Sequence, residues 1–87
     1  MNNLNRLLSE LNELCLLHDE VGFGGYDKVV EVWGPVFRAE ICFETNIATI
    51  EDRAGNLERI SEFDPEYIHV SGGSIFLSPS ANPINLI

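Results

Sequence analysis

Between residues 4 and 15 the apolar positions fall three and four apart. Leu4, Leu7, Leu8, Leu11, Leu14 and Cys15 form one stripe of a helix, and Arg6, Glu10 and Glu13 fall on the other side. The spacing predicts an amphipathic helix over residues 3 to about 20. Asn2 or Asn3 caps its start, and Gly22, Gly24 and Gly25 end it. Leu16 and Leu17 widen the stripe, so the helix is expected to be buried over much of its circumference.

After Gly25 the period changes to two. Residues 28–33 are rich in β-branched and aromatic side chains, and Gly34-Pro35 punctuates them. Across 36–44 the alternation is clear. Phe37, Ala39, Ile41 and Phe43 point one way, and Arg38, Glu40, Cys42 and Glu44 the other. Thr45-Asn46 reads as a tight turn, 47–51 as a short strand and 52–56 as a turn cluster. Leu57, Ile60 and Phe63 recur every third residue, which suits neither period well, and 57–63 is read as a strand. Asp64-Pro65-Glu66 is a break. In 67–78, Gly72-Gly73 sits between two alternating runs and predicts a two-residue hairpin. Its register opposes Val70 to Ile75 and Ile68 to Leu77 on an aliphatic face, and His69 to Phe76 and Tyr67 to Ser78 on the other. The tail, 79–87, holds two prolines and is expected to be irregular, with Ile84, Leu86 and Ile87 available to dock on the body.

These pieces predict a single small α+β domain spanning 1–87. One N-terminal amphipathic helix packs on an antiparallel meander sheet of four to six strands, whose second face is polar and acidic. No internal repeat interrupts this reading.

Charge changes the picture. Fourteen Asp and Glu stand against five Lys and Arg in 87 residues, a formal charge of −9. Five scattered cations make no footprint for a phosphate backbone, and an anionic membrane surface would repel the chain. No apolar run has the roughly 18 residues of a membrane span. Glu10 and Glu13 break the apolar stretch a secretory signal would need, so a cytoplasmic location is expected, with Cys15 and Cys42 as reduced thiols.

Candidate chemistry is sparse. The glycines at 22, 24 and 25 follow a helix instead of preceding one, so they read as a helix stop and flexible linker and not as a phosphate cradle. Cys15 and His18 share a helix at i, i+3, but Cys42 and His69 would have to converge on them from separate strands. No zinc site, other metal or cofactor is expected. Cys15 near a helix C-terminus and Cys42 between Glu40 and Glu44 both sit where a thiolate is disfavoured. The chain is therefore read as non-catalytic.

What remains to be explained is the acidity, which exceeds the charge of about 2–8 that serves solubility in a small domain. Residues two apart on a strand recur every ~6.7 Å. Glu40 and Glu44 are thus expected in a row that Glu31 of the neighbouring strand can join, a spacing like that of a nucleic-acid backbone. Trp33 and Tyr67 fall on faces expected to be partly exposed and suit a protein interface. In length, acidity and helix-plus-sheet build, the chain resembles the small inhibitors of phages and mobile elements, such as anti-CRISPR proteins and other nucleic-acid mimics. The resemblance implies no particular site residues. It implies a non-catalytic inhibitor that blocks a basic, nucleic-acid-binding surface of a partner protein, with no direct nucleic-acid or membrane contact; the strand rows and exposed faces, not the resemblance, mark Glu31, Glu40, Glu44, Trp33 and Tyr67 as the residues expected to bind that partner. An immunity protein or antitoxin that neutralises a basic toxin, and a housekeeping interaction module with incidental acidity, are the alternatives. The oligomeric state stays open.

Overall fold

A computed structural model describes residues 4–35 and 37–86. The expected caps Asn2 and Asn3, and Val36 and Ile87, lie outside the described residues.

The helix α1 spans Leu4–Leu17. Leu7, Leu11 and Leu14 are buried, and Leu4, Leu8 and Cys15 pack beside them. Leu16 and Leu17 do not widen this stripe, since they are 77% and 78% exposed. At 100° per residue they stand about 140° and 120° around the axis from Leu11, beyond the reach of the core.

Five strands follow as a meander in chain order: β1 Gly22–Tyr26, β2 Val29–Trp33, β3 Phe37–Cys42, β4 Ile47–Asp52 and β5 Leu57–Ser61, each antiparallel to the next. The glycines expected to form a linker are the first strand. Glycine is a poor strand former, but a neighbour compensates for the missing side chains. An added Cβ on Gly22 would lie 2.4 Å from the Trp33 indole nitrogen, and one on Gly24 3.7 Å from the same ring. The indole therefore lies across the two glycines and occupies the space their side chains would fill.

β3 ends at Cys42 instead of running on to Glu44. Phe43 is drawn into the core, where its ring meets Phe63 edge-on at 5.5 Å, and residues 43–46 form the loop, closed by Asn46 at φ 57°. β5 ends at Ser61; Glu62 follows at a φ of 59° that marks a bulge, and Phe63 donates to the Asn46 carbonyl. That bulge accounts for the three-residue spacing of Leu57, Ile60 and Phe63. Leu57 faces out and Ile60 faces in, and the extra residue returns Phe63 to the core.

The chain then leaves the meander. β6 His69–Ser71, β7 Ser74–Phe76 and β8 Ile84–Asn85 form a second, antiparallel sheet. The hairpin pairs Val70 with Ile75 and His69 with Phe76, as the aliphatic face predicts, and Gly72 and Gly73 take φ of 60° and 78°. The tail is not wholly irregular. Ile84 pairs with Ile75, and Leu86 is buried and donates to the Gly73 carbonyl at 2.7 Å, because Pro79 and Pro83 precede the strand instead of interrupting it.

One core joins the three parts: Leu7, Leu11 and Leu14 from the helix, Val30, Val32 and Ile41 from the large sheet, and Ile68, Ile75 and Leu77 from the region of the small one. Glu10 is not a solvent-face residue. Its Oε1 accepts the Val70 N–H at 2.9 Å, and Arg6 donates to the carbonyls of Tyr67 and Ile68 at 3.2 and 2.5 Å. Among the described residues no helix is long and apolar enough to cross a membrane.

Candidate functional site

With the helix and small sheet on its inner side, the five-stranded sheet presents one open face. Strand register orders that face into three rows. Gly22, Trp33, Arg38, Glu51 and Leu57 form the first, and Gly24, Glu31, Glu40, Thr49 and Arg59 the second. Tyr26, Val29, Cys42, Ile47 and Ser61 form the third.

The expected acidic face is instead mixed. Glu31, Glu40 and Glu51 share it with Arg38 and Arg59: the register sets Arg38 opposite Glu51, Glu31 opposite Glu40, and Arg59 opposite the uncharged Thr49. Arg38 bonds Glu31 at 3.0 Å. The other eleven acidic residues and three basic ones lie elsewhere. The open face thus carries a net charge of only −1 (three acidic against two basic residues) in a molecule of −9.

Of the residues expected to bind a partner, Glu31, Glu40 and Trp33 meet on this face. Glu44 stands in the 43–46 loop, off the strand row. Tyr67 belongs to the other layer, in the turn before β6, with its ring edge-on to His69 at 5.2 Å. Arg38, Glu51, Leu57, Arg59 and Tyr26 complete the face. Arg38 was legible as a neighbour of Glu40, but placing the others required the register, which depends on the loop lengths.

Trp33 is 46% exposed, Tyr26 63% and Leu57 69%. They sit at separated points of the face, with charged residues between them. Three shallow hollows follow its surface: one beneath Trp33 toward Asp52 and Arg53, one over Arg38, Glu40 and Leu57, and one by Tyr26, Lys28 and Cys42.

The two thiols differ. Burial pushes Cys15 above its ordinary range. Cys42 is held below it, chiefly by the Thr45 hydroxyl and then by the backbone N–H groups of Thr45 and Glu44. The loop thus offsets the repulsion from Glu44, and the expectation that both sites disfavour a thiolate fails at Cys42. The four residues weighed as zinc ligands are dispersed. Cys42 lies on the open face and Cys15 on the helix against the core. His69 is stacked on Phe76 at 5.0 Å, and His18 is 3.8 Å from Glu20. Among the described residues no three His, Cys, Asp or Glu are grouped to hold a metal ion.

Compared with protein-family models, curated proteins and solved structures, the chain matches none.

Proposed function

We propose that this is a non-catalytic binding protein that docks the open face of its large sheet on a basic surface of a partner protein, and inhibits that partner by covering the surface where nucleic acid binds. The observation that carries the reading is Trp33. A large aromatic lies over Gly22 and Gly24, is left 46% exposed, and is set beside charged residues on the neighbouring strand. Affinity in protein interfaces concentrates in such anchors, because an immobilised ring loses little entropy on binding. The formal charge of −9 supplies the other half. It speeds encounter with a cationic surface at low salt, and the acidic residues outside the face act as a steering field more than as contacts.

The experiment is affinity capture from the native host, followed by binding measurements on the captured partner. Trp33→Ala is expected to weaken binding at least about thirtyfold, the effect of losing a 2 kcal/mol anchor. Glu40→Lys with Glu51→Lys should weaken it about tenfold, and less so as salt rises. The reversal of Glu13 and Glu20, on the helix and the loop after it, is the control. If the control abolishes binding while the face variants bind as wild type, the reading is overturned.

A further inference from the structure

The geometry points to the free edge of β5 as a docking site for an extended peptide segment of a partner, added antiparallel as a sixth strand. This does not rest on the reading of the open face. It uses the main-chain groups of the edge and a hollow on the opposite side of the sheet, and of the open face only Leu57 and Arg59, which lie on β5 itself.

The hydrogen-bond phase of the edge follows from the turn that precedes it. Asp52 N–H donates to the Asn56 carbonyl at 3.1 Å, and Gly55 N–H donates to Asp52 at 3.1 Å with Gly55 at φ 88°. Asp52 and Asn56 are therefore a hydrogen-bonded pair. In an antiparallel ladder such pairs alternate. Ile50 with Glu58 and Ala48 with Ile60 are then bonded pairs, and the N–H and C=O groups of Leu57, Arg59 and Ser61 point away from β4. Among the described residues, nothing takes them up. Neither proline nor a bulge interrupts 57–61, whereas the 52–56 turn closes one end and the Glu62 bulge the other. The result is a five-residue edge of the kind that pairs with added strands.

A second feature lies along it. Beside β5, on the inner side of the sheet, a hollow of about 390 Å³ opens between this strand and the segment before β8. Ile50, Ile60, Pro83 and Ile84 line it together with the acidic Asp52 and Glu58. A strand laid against β5 would direct every second side chain into this hollow and the others beside Leu57 and Arg59.

The positions dictate the chemistry of the occupant. On the inner face, the residue opposite Ile60 is apolar and the one opposite Glu58 is basic. On the outer face, the residue opposite Arg59 is acidic and the one opposite Leu57 is apolar. Read in its own direction, the segment runs apolar, acidic, basic, apolar. A second copy of this chain fits less well, since β5 set against itself about Arg59 or Glu58 brings like charges together.

The test uses a capped synthetic peptide containing Thr-Val-Glu-Lys-Val, with Thr-Val-Lys-Glu-Val as its control. Backbone amide shifts and exchange rates of the protein are followed by NMR. The first peptide should slow exchange at Leu57, Arg59 and Ser61, and the control should bind at least about fivefold more weakly. Arg59→Pro removes only an outward N–H and should abolish the protection without unfolding the sheet. Should that variant fail to fold, the double reversal Glu58→Lys with Arg59→Glu keeps the test decisive, because it should invert the preference between the peptides. The proposal is overturned if neither peptide alters those three amides, or if both bind equally. It is also overturned if the amides are already protected in the free protein and sedimentation finds a dimer, because the occupant is then a second copy.

Discussion

The outer edges of β6 and β5 face the same physical problem and meet it differently. Each has one row of main-chain groups without a neighbouring strand. At β6 the helix supplies partners: Glu10 accepts from Val70, and Arg6 donates to the two carbonyls just before the strand. At β5 no side chain does so among the described residues. An edge sealed by charged side chains is part of the core's scaffolding, whereas an open one is available to other chains. The contrast also changes the meaning of charge on this protein. Glu10 and Arg6, which resemble solvent-face residues in the pattern of the helix, hold the two layers together. Among the described residues Glu58 and Arg59 touch no such partner, and they instead set the signs that an added strand must match.

Three measurements would break or sharpen this contrast. The largest effect is expected at the hairpin that positions the sealed edge. Gly72→Val with Gly73→Val forces two β-branched residues into positive φ and should destabilise the protein by about 3 kcal/mol, lowering Tm by roughly 15 °C. Melting at the wild-type temperature would mean that the hairpin geometry does not hold the edge in place.

Next in size is a paired comparison by denaturant unfolding. Glu10→Ala leaves the Val70 N–H without its charged acceptor and should cost about 2 kcal/mol. Arg59→Ala, on the open edge, should stay within about 0.5 kcal/mol. Equal costs would erase the distinction between the edges.

The smallest effect concerns acid. The Asp52 carboxylate accepts from the N–H groups of Ala54 and Asn56 and from the Asn56 amide, at 2.9, 2.9 and 3.0 Å. The Asn56 side chain first, then the backbone of the turn, holds the Asp52 pKa below 3.8. A lowered folded pKa means that its contribution is complete above the unfolded value and fades as pH falls through the folded one. The stability advantage of wild type over Asp52→Asn should therefore shrink between about pH 5 and about pH 2. An advantage that persists or grows toward low pH would contradict the turn geometry that sets the phase of the β5 edge.

The parts legible in the sequence were those governed by neighbours along the chain. The Leu7, Leu11 and Leu14 stripe, the Gly72-Gly73 turn and the Val70–Ile75 register all follow from local period and local backbone freedom. What escaped depends on distant partners. Gly22 and Gly24 read as a linker because the ring that supports them as a strand comes from Trp33. Glu44 read as a member of a strand row because the pull of Phe63 on Phe43 lies twenty residues away. The acidic row itself became a mixed face once β4 and β5 contributed Glu51 and Arg59. Leu16 and Leu17 are a different kind of failure, since helix geometry alone places them off the stripe.

The clasp of Arg6 on the two residues before β6 and of Glu10 on Val70 within it joins residues 60 to 62 positions apart. During synthesis the helix leaves the ribosome long before its partners do. A 14-residue helix is marginal alone, while the meander pairs each strand with the one just made and can assemble progressively. The helix, translated before the strands that hold it, is thus among the last elements to be secured. A nascent chain halted before Tyr67 carries the large sheet but lacks the groups that fix the helix, with Leu7, Leu11 and Leu14 missing the Ile68, Ile75 and Leu77 side of their packing. Chains truncated before that point should therefore be substrates for chaperones and proteases.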